Sequence, residues 1–375
     1  MPVGLARLRF ALPLVVALAI AGCATEEGAV STLRPADARA RIVRALPPGT
    51  PDAAGWAVDI YAAFSALRLD PSVQNVCAVV AVAEQESGLK VHPVVPGLGA
   101  LAWREIDRRA ERAGVPVMLV HAALRLGSSN GKSYAERIDA ARTEEELSDV
   151  FEDFIGLVPL GHRLFAGYNP VRTGGPMQVS IAYAERHARE KPYPYPVEGS
   201  LREEVFSRRG GMYFGIAHLL DYRVDYDRAL YRFADFNAGQ YASRNAGFQA
   251  AVGVISGIPL ALDGDLIRPG AGSADKPGPT ELATRVAAGR LVIGDSAVRA
   301  ALEQGESADF AETSLYRRVF ELAERLEGRP LPRARMPQIA LQSPKITRKL
   351  TTEWFAQRVD ERYRQCMTRS SAPAG

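Results

Sequence analysis

The stretch that most constrains the fold is Val76–Ala83, eight consecutive non-polar residues within "NVCAVVAVAEQES". At a period of 3.6 residues such a run is apolar all round, so a helix over 72–87 has to be covered on most sides by other elements. The run ends in Glu84, Glu86 and Ser87, and Gly88 is a natural helix stop, which puts Glu86 in the last turn. Positions 84 and 86 lie about 200° apart on a helix, so the two carboxylates cannot share a face. The helix dipole's negative end and the apolar surroundings both disfavour charge on Glu86, the condition a general acid requires. The plain alternative is a solvated glutamate at a helix end.

Helical periodicity recurs along the chain and strand-like alternation is scarce. The spacing predicts helices over 53–67, 101–113, 144–155, 176–190, 210–222, 225–239 and 241–257. The fourth of these elements, counting that at 72–87, opens on a Thr143–Glu146 capping box. The fold class is therefore all-α, or mainly α. Residues 269–280 have a linker's Pro/Gly composition. Beyond them Leu315, Val319, Leu322 and Leu326 share one face of a helix that stops at Gly328. The basic, proline-punctuated segment 329–345 reads as an ordered wrap, because a cysteine in an apolar stripe follows it.

The 375 residues carry a net charge of +3, and removing the first 22 takes away Arg7 and Arg9. So balanced a charge gives no electrostatic argument for a nucleic-acid partner. Arg7 and Arg9 precede the apolar run Phe10–Ile20, which is too short to span a bilayer and reads as a signal peptide. It ends in Ile20-Ala21-Gly22-Cys23, which resembles the lipobox of bacterial lipoproteins. That resemblance implies cleavage after residue 22 and acylation of Cys23. With Ala24 next, it implies an outer-membrane anchor facing the periplasm, with residues 23–40 as a tether. The alternative is ordinary secretory cleavage with an incidental cysteine.

Two cysteines remain in that oxidising compartment. Cys77 sits in the apolar helix, and Cys366 continues the stripe Phe355, Val359, Tyr363. These placements predict a Cys77–Cys366 disulfide that fastens the last helix to the one carrying Glu86. Two buried free thiols are the alternative.

Three segments in order carry a further resemblance: Glu86-Ser87, Gly175-Pro176-Met177-Gln178 and Phe236-Asn237-Ala238-Gly239. Together they resemble the soluble lytic transglycosylases, lysozyme-like enzymes that cleave peptidoglycan. Gly215 and Leu219 also stand where that family has a glycine and a leucine. The resemblance implies a lysozyme-like domain over 41–268 and a C-terminal helical extension over 269–375. It implies that Glu86 acts as general acid and then base on the MurNAc-GlcNAc bond, with no cofactor and no metal. Ser87, Met177, Gln178, Phe236, Asn237 and Gly239 are then the substrate-binding set, and peptidoglycan strands are the partner.

There are two departures. The 89 residues from Glu86 to Gly175 exceed the usual separation, so about 92–170 is a helical insertion. Phe236 replaces a tyrosine, removing a hydroxyl beside the acid. Both departures favour a rival, a weak or inactive envelope lipoprotein that binds glycan or a protein partner. Simple hydrolysis is a third route. The chain as a whole also resembles uncharacterised Gram-negative lipoproteins.

Other signals are weaker. Asp225, Asp227 and Asp235 are spare acids in the catalytic region, and the five histidines lack metal-ligand spacing. "GSSNG" at 127–131 matches a nucleophile elbow around Ser129, but a helix-like segment precedes it where a strand is needed. Tyr193 and Tyr195 in "KPYPYPVEG" offer sugar-stacking rings or, alternatively, a Pro-stiffened loop packed on the core. Cys23→Ala is expected to leave the mature protein without acyl chains, read by intact mass, and to release it from the membrane fraction.

Overall fold

A computed structural model describes residues 33–157, 159–268, 276–341 and 350–371; the signal peptide and Cys23 lie outside the described residues. The chain is mainly helical, with 17 α-helices and two short two-stranded pairs among the described residues. The first three helices are α1 (Pro35–Ala45), α2 (Ala53–Ala66) and α3 (Val73–Ser87). The Ser72 side chain caps the start of α3 by accepting from the Asn75 N–H. Gly88, in the left-handed region at φ +62°, ends it, and the Leu89 N–H reaches back to the Ala83 carbonyl at 3.3 Å. Every residue from Val76 to Ala83 is buried, as an apolar run without a polar face demands.

The segment 92–170, expected to be an insertion, folds as α4 (Leu98–Arg112), α5 (Val117–Leu124), α6 (Tyr134–Ala140), α7 (Glu144–Gly156) and α8 (Gly161–Phe165). The Thr143–Glu146 capping box is present at the start of α7. Residues 127–131 form no nucleophile elbow. They follow α5 and close into an isolated Gly127–Ser133 bridge, and Ser129 donates to Asp153 at 2.9 Å.

Next come β1 (Thr173–Gly174) and β2 (Val179–Ser180), paired antiparallel, then α9 (Ile181–Glu190), α10 (Leu201–Phe206), α11 (Arg208–Leu220) and α12 (Ala229–Ala238). The helix expected over 176–190 thus begins only at Ile181. Gly175 (φ +70°) and Gln178 (φ +49°) are left-handed and cannot be helical, so the preceding residues turn a hairpin. In the 191–199 loop the Tyr193 ring stacks on Phe214 at 5.0 Å, so that aromatic serves the core.

Helix α13 (Ala242–Ser256) then begins a second core with α14 (Pro279–Gly289), α15 (Asp295–Leu302) and α16 (Ser314–Glu327). Phe248 stacks on Tyr316 there, and Phe310 meets both edge-on. The buried Glu281 pairs with Arg285 at 2.7 Å and Arg299 at 2.8 Å. The wrap expected over 329–345 is described as far as Leu341, and 342–345 lie outside the described residues. The Arg335 N–H donates to the Ser243 carbonyl and the Gln338 N–H to that of Leu262.

The wrap leads into β3 (Ala340–Leu341), which pairs with β4 (Leu350–Thr351). The last helix, α17 (Thr352–Ser371), then returns to the first core, burying Phe355, Ala356, Val359 and Cys366. Cys77 and Cys366 are joined by the expected disulfide, across 289 residues of chain. Glu84 looks toward the same helix, 3.6 Å from Arg362. Reducing the bond, or Cys366→Ala, is expected to cost about 2–5 kcal/mol in urea unfolding, since it releases a long loop in the unfolded chain.

Candidate functional site

Two antiparallel packings define the site. Cys77 meets Cys366 and Glu84 meets Arg362, so α3 runs against the direction of α17. Phe233 meets Tyr363 and Asn237 meets Thr352, so α12 runs against it too. The C-terminal ends of α3 and α12, carrying Glu86 and Asn237, therefore lie toward the start of α17. Glu86 is half-buried in its last turn, and Asn237 is exposed.

The remaining residues expected at the substrate are engaged within the protein. Ser87 is buried, donates to the Ala83 carbonyl at 3.0 Å and accepts from the Lys90 N–H at 3.2 Å, so it closes the helix end. Asn237 Oδ1 accepts from the Thr352 hydroxyl at 2.8 Å. The Gln178 side chain accepts from Thr173 at 3.1 Å and donates to the Gly175 carbonyl at 3.3 Å.

Met177 is fully buried beneath the hairpin turn and presents no surface to a ligand. It packs on Gly215, where a Cβ would come within 2.5 Å of its sulfur; Pro176 fits over Gly211 in the same way. Two glycines four residues apart on α11 thus make the groove that seats the turn. Helix α11 also packs on α3 and α12, which connects the turn to the Glu86–Asn237 end.

Phe236 is buried, with its ring 5.1 Å from that of His218 and its carbonyl accepting from His218 Nε2 at 3.2 Å. Tyr183 also packs on His218, edge to face at 4.5 Å, and Gln240 donates to the His218 carbonyl at 2.9 Å. Burial lowers the His218 pKa to about 4, so the imidazole is neutral at physiological pH. Burial likewise raises the Tyr183 hydroxyl, which stays protonated. Gly239, at φ +111°, ends α12 with its N–H on the Asp235 carbonyl at 2.8 Å.

Asp235 organises this corner, a role the sequence did not signal. It is fully buried and accepts from the Tyr222 and Tyr226 hydroxyls and from the N–H groups of Tyr241 and Ser243. These bonds fix the left-handed Tyr241 and with it the 237–241 turn. Asp225 and Asp227 make no comparable network. Among the described residues no group of three or more His, Cys, Asp or Glu side chains is arranged to hold a metal ion, and no helix is long and apolar enough to cross a membrane.

Comparison with known proteins adds relatives without a stated activity. The family described as protein of unknown function (DUF1615) matches residues 49–369. The chain is similar to "Uncharacterized protein YaiW" of Escherichia coli (strain K12), 52% identical over 358 residues, which cover 95% of this chain and 97% of that protein. No solved structure matches.

Burial raises the Asp235 carboxyl from 3.8 to about 6 despite its four donors. Between about pH 4 and 6 the folded state holds a proton that the unfolded chain has released, so this group's contribution to stability falls as pH rises through that window. The full change is about 3 kcal/mol. Asp235→Asn lacks this titration, and its amide faces a backbone N–H, at a cost of about 1–3 kcal/mol. In urea unfolding the variant's deficit against wild type is expected to be largest near pH 4 and to shrink toward pH 7.

Proposed function

We propose that this chain, which belongs to the DUF1615 family, is a peptidoglycan lytic transglycosylase with Glu86 as its single catalytic acid. The observation that carries the reading is that Glu86 closes a buried helix, and that α3 and α12 both run antiparallel to α17, so that their C-terminal ends, with Glu86 and Asn237, point the same way. Glu86 protonates the glycosidic oxygen between MurNAc and GlcNAc as the C1–O bond breaks. Its carboxylate then takes the proton of the muramoyl C6 hydroxyl as that oxygen bonds to C1, leaving a 1,6-anhydro end. The cycle returns the proton to Glu86, and no second carboxylate is required. Asn237 and Gln178 contact the sugar, Ser87 holds the helix end that aims the acid, and Phe236 and Gly239 shape the wall.

The proposed setting is an outer-membrane lipoprotein anchored through Cys23 and facing the periplasm. A buried disulfide supports an oxidising compartment. A lysozyme-like domain over 41–268, with a C-terminal helical extension from 269, is part of the same proposal.

A second reading has its own support. Thr352 occupies Asn237, the Gln178 side chain is satisfied within its hairpin, and Phe236 lacks a hydroxyl. These features favour a protein that binds peptidoglycan, or an envelope partner, without turnover.

Digestion of purified sacculi separates the two. Wild type is expected to release anhydromuropeptides, and Glu86→Gln to slow release by about 10²–10⁴-fold. Equal product from both proteins, with no anhydro ends, sinks the enzymatic reading; sacculus pull-down without turnover upholds the second.

A further inference from the structure

The segment 92–170 contains a cavity unconnected with the Glu86 argument. It is about 260 Å³ in volume and lies between α4, α5, α6 and α7, with Ile106, Ala110, Leu124, Val150 and Phe154 among its walls. Such apolar walls offer water few hydrogen-bond partners and accept apolar guests. The walls come from helix faces pointing inward at i, i+4 spacing, such as Ala102, Ile106 and Ala110 on α4. Val115 and Tyr168 also line it and are 42% and 64% exposed, so the cavity opens to solvent between them.

Charge gathers at one side of that cavity. Glu105 and Arg109 are lining residues, and Glu105 is paired with Arg108, Arg109 and Arg112. Three guanidiniums around one carboxylate leave two positive charges in excess within the cluster. Arg108 and Arg112 are 58% and 61% exposed, so both can reach a ligand without being unburied.

We propose that this cavity is a binding site for a single-chain anionic amphiphile, with the acyl tail inside and the headgroup at the Arg108–Arg112 cluster. The volume holds about eight or nine methylene-sized groups, taking each as near the ~30 Å³ of a water in the liquid. A tail of that length fills the cavity, and a longer one leaves its excess in the open mouth. A cationic head meets the wrong charge there, and a purely apolar ligand leaves the arginines unused. Free fatty acids and lysophospholipids share this chemistry.

The test is calorimetric titration of the full chain with hexanoate, octanoate, decanoate and dodecanoate below their micelle concentrations. Affinity is expected to rise about fourfold per methylene until the cavity is full, then to level off. Undecyltrimethylammonium, with the same eleven-carbon tail, is expected to bind at least tenfold more weakly than dodecanoate. Val150→Trp, which fills the cavity, is expected to weaken dodecanoate at least tenfold. Should that variant fail to melt cooperatively, the surface double variant Arg108→Glu/Arg112→Glu serves: it weakens decanoate at least fivefold and leaves decanol unchanged. No saturable binding, affinity indifferent to tail length, or equal binding of both headgroup charges overturns the proposal. Either preference between dodecanoate and a lysophosphatidylglycerol of the same tail upholds it and assigns the source of the head.

Discussion

The packing of α17 on α3 is the interaction on which the rest depends. Helix α3 has no polar face over its central eight residues, and α17 supplies part of the cover through Phe355, Ala356 and Val359. Each buried valine or phenylalanine there contributes about 1.5–3 kcal/mol relative to exposure. The contact joins segments almost 300 residues apart, which the disulfide makes permanent across its 289-residue separation. Because α17 also packs on α12, one C-terminal helix orients both of the helix ends that carry the candidate site.

Helix α13 explains how so late a segment is delivered to the first core. It is buried nearly all round and carries polar residues where an apolar helix is expected: Arg244, Asn245 and Gln249. Each is satisfied by backbone beyond it. Arg244 donates to the Gly305 and Ser307 carbonyls, Asn245 to those of Gly264 and Gly305, and Gln249 to that of Asp265. Buried polar groups paired in this way fix the loops around the helix in one arrangement. Gly247 lets the wrap pass close, since a Cβ there would come within 2.5 Å of the Arg333 carbonyl. The wrap then carries the chain to β4 and the start of α17.

What was legible in the sequence follows from which physical signals are local. The apolar run, the Gly88 stop, the Thr143–Glu146 box and the Cys366 stripe each depend on residues a few positions apart, and each element formed as read. Residues 176–180 of the hairpin fall inside the helix that the spacing predicts over 176–190, since periodicity alone does not mark where a helix begins. The left-handed Gln178 that prevents helix there has no composition signal. Asp235 was similarly opaque: its partners come from the preceding loop and the next helix, and only the fold brings them together. The cavity between α4, α5, α6 and α7 is illegible for a third reason. Periodicity tells which face of α4 turns inward, but not whether the facing side chains fill the space.

The internal bonds at the candidate site do not weigh equally against a ligand. The Thr352–Asn237 bond joins an exposed amide to a fully buried hydroxyl, so a sugar that takes Asn237 Oδ1 leaves the Thr352 hydroxyl without that acceptor, at a cost of about 1–3 kcal/mol. The Gln178 bonds close its own hairpin, so freeing its amide loosens only a four-residue turn whose seat on Gly211 and Gly215 is apolar. Ser87 is different. It is buried and links the Ala83 carbonyl to the Lys90 N–H across the helix stop, so surrendering it would unwind the turn that carries Glu86. In the proposed reaction Ser87 is therefore a positioning residue, and any sugar contact falls to Asn237 and Gln178. On the same reasoning, the segment that completes the core of this protein is also the one that a glycan strand would have to displace from Asn237.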